Sequence, residues 1–205
     1  MAKLYYRYGA MNSGKSTALM QVAFNYEERG MRVFILKPSI DTKGGECLLS
    51  RLGVSRPVDK AVTPDMDVFE LVKQEAARGG KPLACVLTDE SQFFTPQQAE
   101  QLFMVTVKLN IPVIAYGLRT DFSMQGFPGS TRLLELAHAI EEMKTICTCG
   151  RKATCNGRKV NGEFVFEGDQ VAIDQENNVE YQSLCAQCYF AEREKFYQRH
   201  PKVRV

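Results

Sequence analysis

Gly9-Ala10-Met11-Asn12-Ser13-Gly14-Lys15-Ser16 decides the fold of this chain. The stretch has the form G-x-x-x-x-G-K-S, and its flanks have the character that this form requires. Leu4 to Tyr8 alternates apolar and polar side chains as a strand does, and Thr17 to Glu28 spaces Leu19, Met20, Ala23 and Phe24 as a helix does. Glycines let the backbone curl until successive N–H groups face one anion, and the start of a helix adds a dipole that favours phosphate. Lys15 supplies a charge for β- and γ-phosphates, and Ser16 a hydroxyl for Mg2+. Gly9, Ala10, Met11, Asn12, Ser13, Gly14, Lys15 and Ser16 are therefore read as a loop that binds a nucleoside triphosphate.

Outward from this loop, Gly30 closes the helix and Arg32 to Leu36 forms a strand ending before Pro38, which completes a strand–helix–strand unit. Ile40 to Pro64 is rich in Gly, Ser, Pro and charge and reads as a long surface segment. A helix over about Asp65 to Arg78 leads to Leu83-Ala84-Cys85-Val86-Leu87-Thr88, an apolar run of the kind found in buried parallel strands. A helix from Pro96 to Leu109, a strand from Pro112 to Gly117, a loop from Asp121 to Gly129 and a helix over Ser130 to Glu142 follow. The alternation predicts an α/β fold: a doubly wound, P-loop NTPase-like parallel sheet flanked by helices, over residues 1–144. Residues 145–205 read as a small β-rich extension, with β-like runs at Glu163 to Phe166 and Gln170 to Ile173 and a closing helix from about Gln187.

The Asp89-Glu90 pair ends the apolar strand, so both carboxylates emerge at the edge of the sheet where the phosphate loop lies. Asp89 suits Mg2+. Glu90 can take a proton from an acceptor hydroxyl or orient a water; the alternative is that it caps the next helix or solvates the loop. The balance of 26 Lys and Arg against 24 Asp and Glu gives a net charge of +2, which offers no reason to expect a nucleic acid or membrane partner. No apolar leader precedes the loop and no apolar run is long enough to span a bilayer, so a cytoplasmic location is expected. Two function classes fit: a small-molecule kinase, and an ATP-driven module acting through a macromolecular partner. The chain's 205 residues favour the kinase.

Seven cysteines include two short pairs, Cys147/Cys149 and Cys185/Cys188, which suit a closed, structural Zn2+ site of four thiolates. Cys155 is an alternative ligand to Cys147. A redox role for Cys185 and Cys188 lacks the strand–helix–strand context of thioredoxin-like sites. Cys47 and Cys85 read as ordinary small or buried residues.

The phosphate loop, Asp89-Glu90-Ser91-Gln92-Phe93-Phe94 and the cysteine-paired extension together resemble the type II, zinc-containing thymidine kinase family over nearly the whole chain. The resemblance implies transfer of the γ-phosphoryl group of ATP to the 5′-hydroxyl of thymidine, with Mg2+, in nucleotide salvage for DNA synthesis. It makes Glu90 the general base beside Lys15, and extends the nucleotide site through Asp89, Glu90, Ser91 and Gln92. It maps Met11, Phe93, Leu118, Phe122, Phe127 and Tyr181 onto the nucleoside pocket, where simple core packing is the alternative for each. It further implies a zinc-held lasso over the base, a homotetramer and a cytoplasmic enzyme. Two departures are visible: Lys43 stands where relatives often have arginine after Asp41, and Val171-Ala172-Ile173-Asp174-Gln175 lacks glycines common after the isoleucine.

Overall fold

The computed structural model describes residues 1–40, 47–50, 52–170 and 178–201. They form two compact units: Met1–Tyr8, Gly14–Arg119 and Phe127–Met143 in the first, and Gly9–Ser13, Thr120–Gly126 and the chain from Lys144 in the second. The expected strand at Gln170 to Ile173 and both departures noted above, at Asp41 to Lys43 and Val171 to Gln175, fall largely or wholly outside the described residues.

The first unit contains β1 (Leu4–Tyr8), α1 (Lys15–Glu28), β2 (Arg32–Pro38), β3 (Cys47–Leu49), β4 (Ser55–Pro57), β5 (Lys60–Val62), α2 (Val68–Ala77), β6 (Leu83–Thr88), α3 (Pro96–Met104), β7 (Val113–Gly117), α4 (Pro128–Leu136) and β8 (Ala139–Glu142). Six of these strands form one sheet in the order β5-β2-β6-β7-β1-β8, with every pairing parallel. Helices cover both faces. Leu4, Phe34, Leu36 and Val86 pack toward α2, α3 and α4, while Val33, Ile35, Cys85 and Leu87 pack toward α1. Alternation along β2 and β6 thus feeds two cores, and that requires strands apolar on both faces. Because all strands run the same way, the ends of β6 and β7 bring Asp89 and Leu118 to one edge, beside the start of α1.

Local chemistry fixes the helix starts. Thr95 and Gln98 form a reciprocal capping box on α3, with Pro96 in its first turn, and the Asp67 side chain accepts the Glu70 N–H at the start of α2. No side chain caps α1, whose preceding residue is Gly14 at φ 77°.

Three stretches differ from the sequence reading. Ile40 to Pro64, expected as a surface segment, carries β3, β4 and β5, and β5 joins the sheet beside β2. The helix expected through Glu142 stops at Leu136, and Ala139–Glu142 becomes β8, pairing Tyr5 with Ala139 through Tyr8 with Glu142. The open edge of β1 supplies backbone partners that local periodicity does not register. The helix expected to Leu109 keeps its α geometry only to Met104, and Val105–Leu109 widens to a π turn in which the Thr106 hydroxyl donates to the Phe103 carbonyl.

The second unit contains β9 (Thr145–Ile146), β10 (Lys152–Ala153), β11 (Cys155–Val160), β12 (Glu163–Val165), β13 (Val179–Leu184) and α5 (Ala186–Arg199). β11 lies between β12 and β13, antiparallel to both. Asn161 at φ 51° and Gly162 at φ 86° make the tight, left-handed turn that a two-residue hairpin needs. Cys147, Ala153, Phe166, Leu184 and Tyr189 form its core.

Candidate active site

The phosphate loop runs from Gly9, after β1, into α1. Asn12 at φ 64° and Gly14 at φ 77° are both left-handed, a backbone alternation that turns N–H groups to one side. Lys15 opens α1 and is only 8% exposed. The Ser16 hydroxyl donates to Asp89 Oδ2 at 2.8 Å. Asp89 itself is 3% exposed, and its Oδ1 has no hydrogen-bond partner among the described residues. Burial pushes its carboxyl from the ordinary 3.8 up to about 7; the neighbouring Glu90 charge adds to this, and the Ser16 hydroxyl, a backbone N–H and Lys15 pull the other way. A buried carboxylate oxygen left without a donor, beside a hydroxyl and a lysine, is a donor set that fits a hard divalent cation.

Glu90 is half-buried and sits at φ 46°, a left-handed backbone that costs about 1 kcal/mol or more for a residue with a Cβ. The turn that imposes it is tightly pinned: the Thr88 and Ser91 hydroxyls lie 2.6 Å apart, and the Phe93 N–H donates to the Glu90 carbonyl at 3.0 Å. The Glu90 side chain makes no cap bond to the 3-10 turn it precedes, and α3 has its own cap in Thr95. Its Oε2 instead accepts from Gln92 Nε2 at 2.5 Å. A carboxylate beside the phosphate loop that caps no helix can serve proton transfer.

The six aromatic and apolar residues expected around a base fall into two sets. In the first unit, Phe93 and Phe127 meet edge to face with centroids 5.6 Å apart, and the Leu118 N–H is bound by the Gln92 side chain next to Phe93. In the second, the Arg158 guanidinium lies 3.6 Å from the centroid of the Phe122 ring, and Tyr181 on β13 is the register partner of Arg158 on β11. Met11 is tied to this unit by its N–H, which donates to Asn156 Oδ1 at 2.8 Å.

The cysteines converge. The sulfurs of Cys147, Cys149, Cys185 and Cys188 all lie within 4.8 Å of one another. Cys149 and Cys185 sulfurs are 3.6 Å apart, far longer than a disulfide and close to the roughly 3.8 Å expected between two ligands on a tetrahedron with Zn–S near 2.3 Å. Cys147 is pulled below the ordinary thiol range despite its burial, by backbone N–H groups near Cys149 and Cys185, whereas Cys188 is pushed up by the three thiols around it. Four thiols this close cannot ionise independently, and a divalent cation is what lets them do so together. Cys155, the alternative ligand, opens β11 opposite Leu184 and is not one of the four.

A thymidine kinase family model matches residues 2–189. Relatives named thymidine kinase include that of Ruegeria pomeroyi, 46% identical with 90% of this chain and 92% of the relative aligned, and that of Enterobacteria phage T4, 44% identical over 90% and 94%. The chain belongs to the thymidine kinase family. A Legionella pneumophila thymidine kinase is 47% identical over 90% of this chain and 88% of its own. Among solved structures, an ATPase domain aligns with 91% of this chain and 82% of its own at TM-score 0.48 and 15% identity, a likeness too remote to add to the fold described above.

The sequence reading missed the residues that hold the loop around Phe122 and Met11, two of the positions expected around a base. Asp121 Oδ1 accepts from the Ser123 N–H and hydroxyl and the Gln125 N–H, each at 2.8 Å, and its Oδ2 accepts from Gln170. The Tyr189 hydroxyl donates to the Phe122 carbonyl at 2.8 Å, and Asn156 joins Met11 N–H to the Thr120 carbonyl. Asp121 followed by Ser and Gln could have signalled a side-chain-closed turn. For Asn156 and Arg158 no local signal exists, because their partners are remote in sequence.

Proposed function

We propose that the chain moves the γ-phosphoryl group of ATP onto the 5′-hydroxyl of thymidine, giving ADP and thymidine monophosphate. The bond from the acceptor oxygen to phosphorus forms as the bridge to the β-phosphate breaks, and the hydroxyl proton passes to the Glu90 carboxylate. Lys15 balances charge on the β- and γ-phosphates. Mg2+, held by the Ser16 hydroxyl and Asp89, would neutralise the charge that builds on the transferring group. The observation that carries this reading is the bond from the Ser16 hydroxyl to the buried Asp89, with one carboxylate oxygen left for a cation, adjoining a Glu90 carboxylate that no helix uses.

In the same reading residues 1–144 are the kinase domain, and 145–205 are an extension whose four cysteines hold a structural Zn2+. Gly9 to Ser16 and Asp89 to Gln92 serve the nucleotide. Met11, Phe93, Leu118, Phe122, Phe127 and Tyr181 enclose the nucleoside, with aromatic faces available to a pyrimidine. The assembly is a cytoplasmic homotetramer working in nucleotide salvage. Among the described residues no helix is long and apolar enough to cross a membrane.

The test incubates purified protein with Mg2+, ATP and each common deoxynucleoside, measuring ADP and nucleoside monophosphate together. Thymidine monophosphate should form in step with ADP, and Glu90→Gln should lose roughly 10²–10⁴ of the rate while still binding ATP. ADP released without any nucleoside monophosphate would overturn the proposal.

A further inference from the structure

Gln92 is 2% exposed, and each end of its side-chain amide makes a hydrogen bond within the fold. Its Oε1 accepts the Leu118 N–H at 2.9 Å, just past the end of β7, and its Nε2 donates to Glu90 Oε2 at 2.5 Å. The side chain thus bridges the central strand of the sheet to the carboxylate two residues before it. The packing around it is tight: a Cβ on Gly117 would sit 2.9 Å from Gln92 Oε1 and 3.1 Å from its backbone nitrogen. Glycine at 117 therefore leaves the room that this amide occupies. Glu90, by contrast, stands on a strained left-handed residue, and a flexible carboxylate there has several rotamers open to it unless something selects one.

We infer that Gln92 is a positioning residue: it anchors on the Leu118 N–H and holds the Glu90 carboxylate in the one orientation from which its other oxygen can receive a proton. This rests on Glu90 being the base, as proposed above. Nothing in the bridge involves phosphate, so the Gln92 side chain acts on the chemical step, and the part of residue 92 in the nucleotide site falls to its backbone, which Gln92→Met retains. A fixed carboxylate matters because proton transfer depends on the acceptor lying within hydrogen-bond reach of the reacting hydroxyl, and small misplacements cost rate steeply. The amide is suited to the task. One end accepts and the other donates, which no carboxylate or hydrocarbon of the same length can do.

The experiment is a double-mutant cycle on thymidine monophosphate formation, using Gln92→Met, Glu90→Ala and the pair. In the parent background Gln92→Met should lower kcat roughly 30-fold, equivalent to about 2 kcal/mol at about 1.4 kcal/mol per decade, with KM for ATP and thymidine within about 3-fold. In the Glu90→Ala background the same substitution should change kcat less than about 2-fold, because the carboxylate it positions is gone. Gly117→Ala crowds the amide without altering its chemistry and should behave like Gln92→Met in both backgrounds, which keeps the test informative should Gln92→Met fold poorly. Equal losses in both backgrounds, a loss confined to KM, or an unchanged kcat in Gln92→Met and Gly117→Ala overturns the inference and leaves Glu90 as base intact. Full activity in Glu90→Ala overturns the base assignment and the inference with it.

Discussion

Asp89 makes the protein's stability depend on pH in a direction opposite to that of a salt-bridged carboxylate. Its pKa rises from 3.8 in the unfolded chain to about 7 in the fold, so between those values the folded state binds the extra proton. The contribution of Asp89 to stability is then fully present below about pH 4, falls as pH rises, and is lost above about pH 7. At about 1.4 kcal/mol per decade the whole window amounts to about 4 kcal/mol, of which about 3 kcal/mol lies between pH 5 and pH 8. Asp89→Asn removes this titration together with its coupling to Glu90. The substitution carries a fixed cost for the unpaired amide N–H it buries, but that cost is the same at each pH and cancels in the comparison. Urea denaturation of parent and variant at pH 5, 6, 7 and 8, without nucleotide, added Mg2+ or chelator, gives the difference directly. The variant should gain about 3 kcal/mol on the parent between pH 5 and pH 8. Saturating Mg2+ and ATP should abolish most of the gain, since a cation then replaces the proton. Glu90→Gln removes the second cause of the shift and should shrink it. A difference that stays flat with pH, or grows toward pH 5, refutes the reasoning.

Cys185 serves as both a candidate ligand and the N-cap of α5, accepting the Cys188 N–H. Cys185→Ser should take bound zinc, measured by colorimetric release, from near one per chain to near none, and unchanged zinc content would remove Cys185 from the site. A Cβ on Gly129 would lie 2.3 Å from the Phe94 carbonyl oxygen, a backbone atom that cannot swing away, whereas Gly79 has nothing within 4 Å. Gly129→Ala should cost about 1–3 kcal/mol in denaturant unfolding and Gly79→Ala about 0.5 kcal/mol or less, and equal effects would contradict the packing described. Arg158 is 5% exposed, donates to the Glu167 and Asp169 carbonyls, and stacks on Phe122. Arg158→Met should raise KM for thymidine roughly 10-fold with kcat changed less than about 3-fold, and an unchanged KM would detach Phe122 from nucleoside binding.

What could be read without coordinates was whatever is local. Gly9 to Ser16 carries its own backbone geometry in its glycines, Leu83 to Thr88 shows burial on both faces through unbroken apolar character, and the cysteine spacing points to the cluster of four sulfurs that the fold brings together. β8 was illegible for a physical reason: Ala139 to Glu142 is too short to establish a period, and only the vacant edge of β1 makes it a strand. The hairpin of β3 and β4 lies in a stretch that reads as surface loop because its pattern is weak, with Leu49 exposed and Leu48 buried. At the site, the sequence points to Glu90 and Gln92 but not to the bond between them, which depends on Glu90 adopting a left-handed backbone that glutamate seldom takes. Asn156 and Arg158 look like ordinary polar residues of a strand until β11 is folded against its neighbours.

The cysteine cluster has a topological consequence. Its two halves lie at opposite ends of the stretch from Cys149 to Cys185, so a cation gripping all four sulfurs turns that stretch into a closed ring within the chain. A single cut at the Asn161-Gly162 turn then opens the ring without freeing either piece. The nicked protein should travel as one species under native conditions and as two fragments in denaturant with chelator, its halves joined through a metal where the peptide no longer joins them.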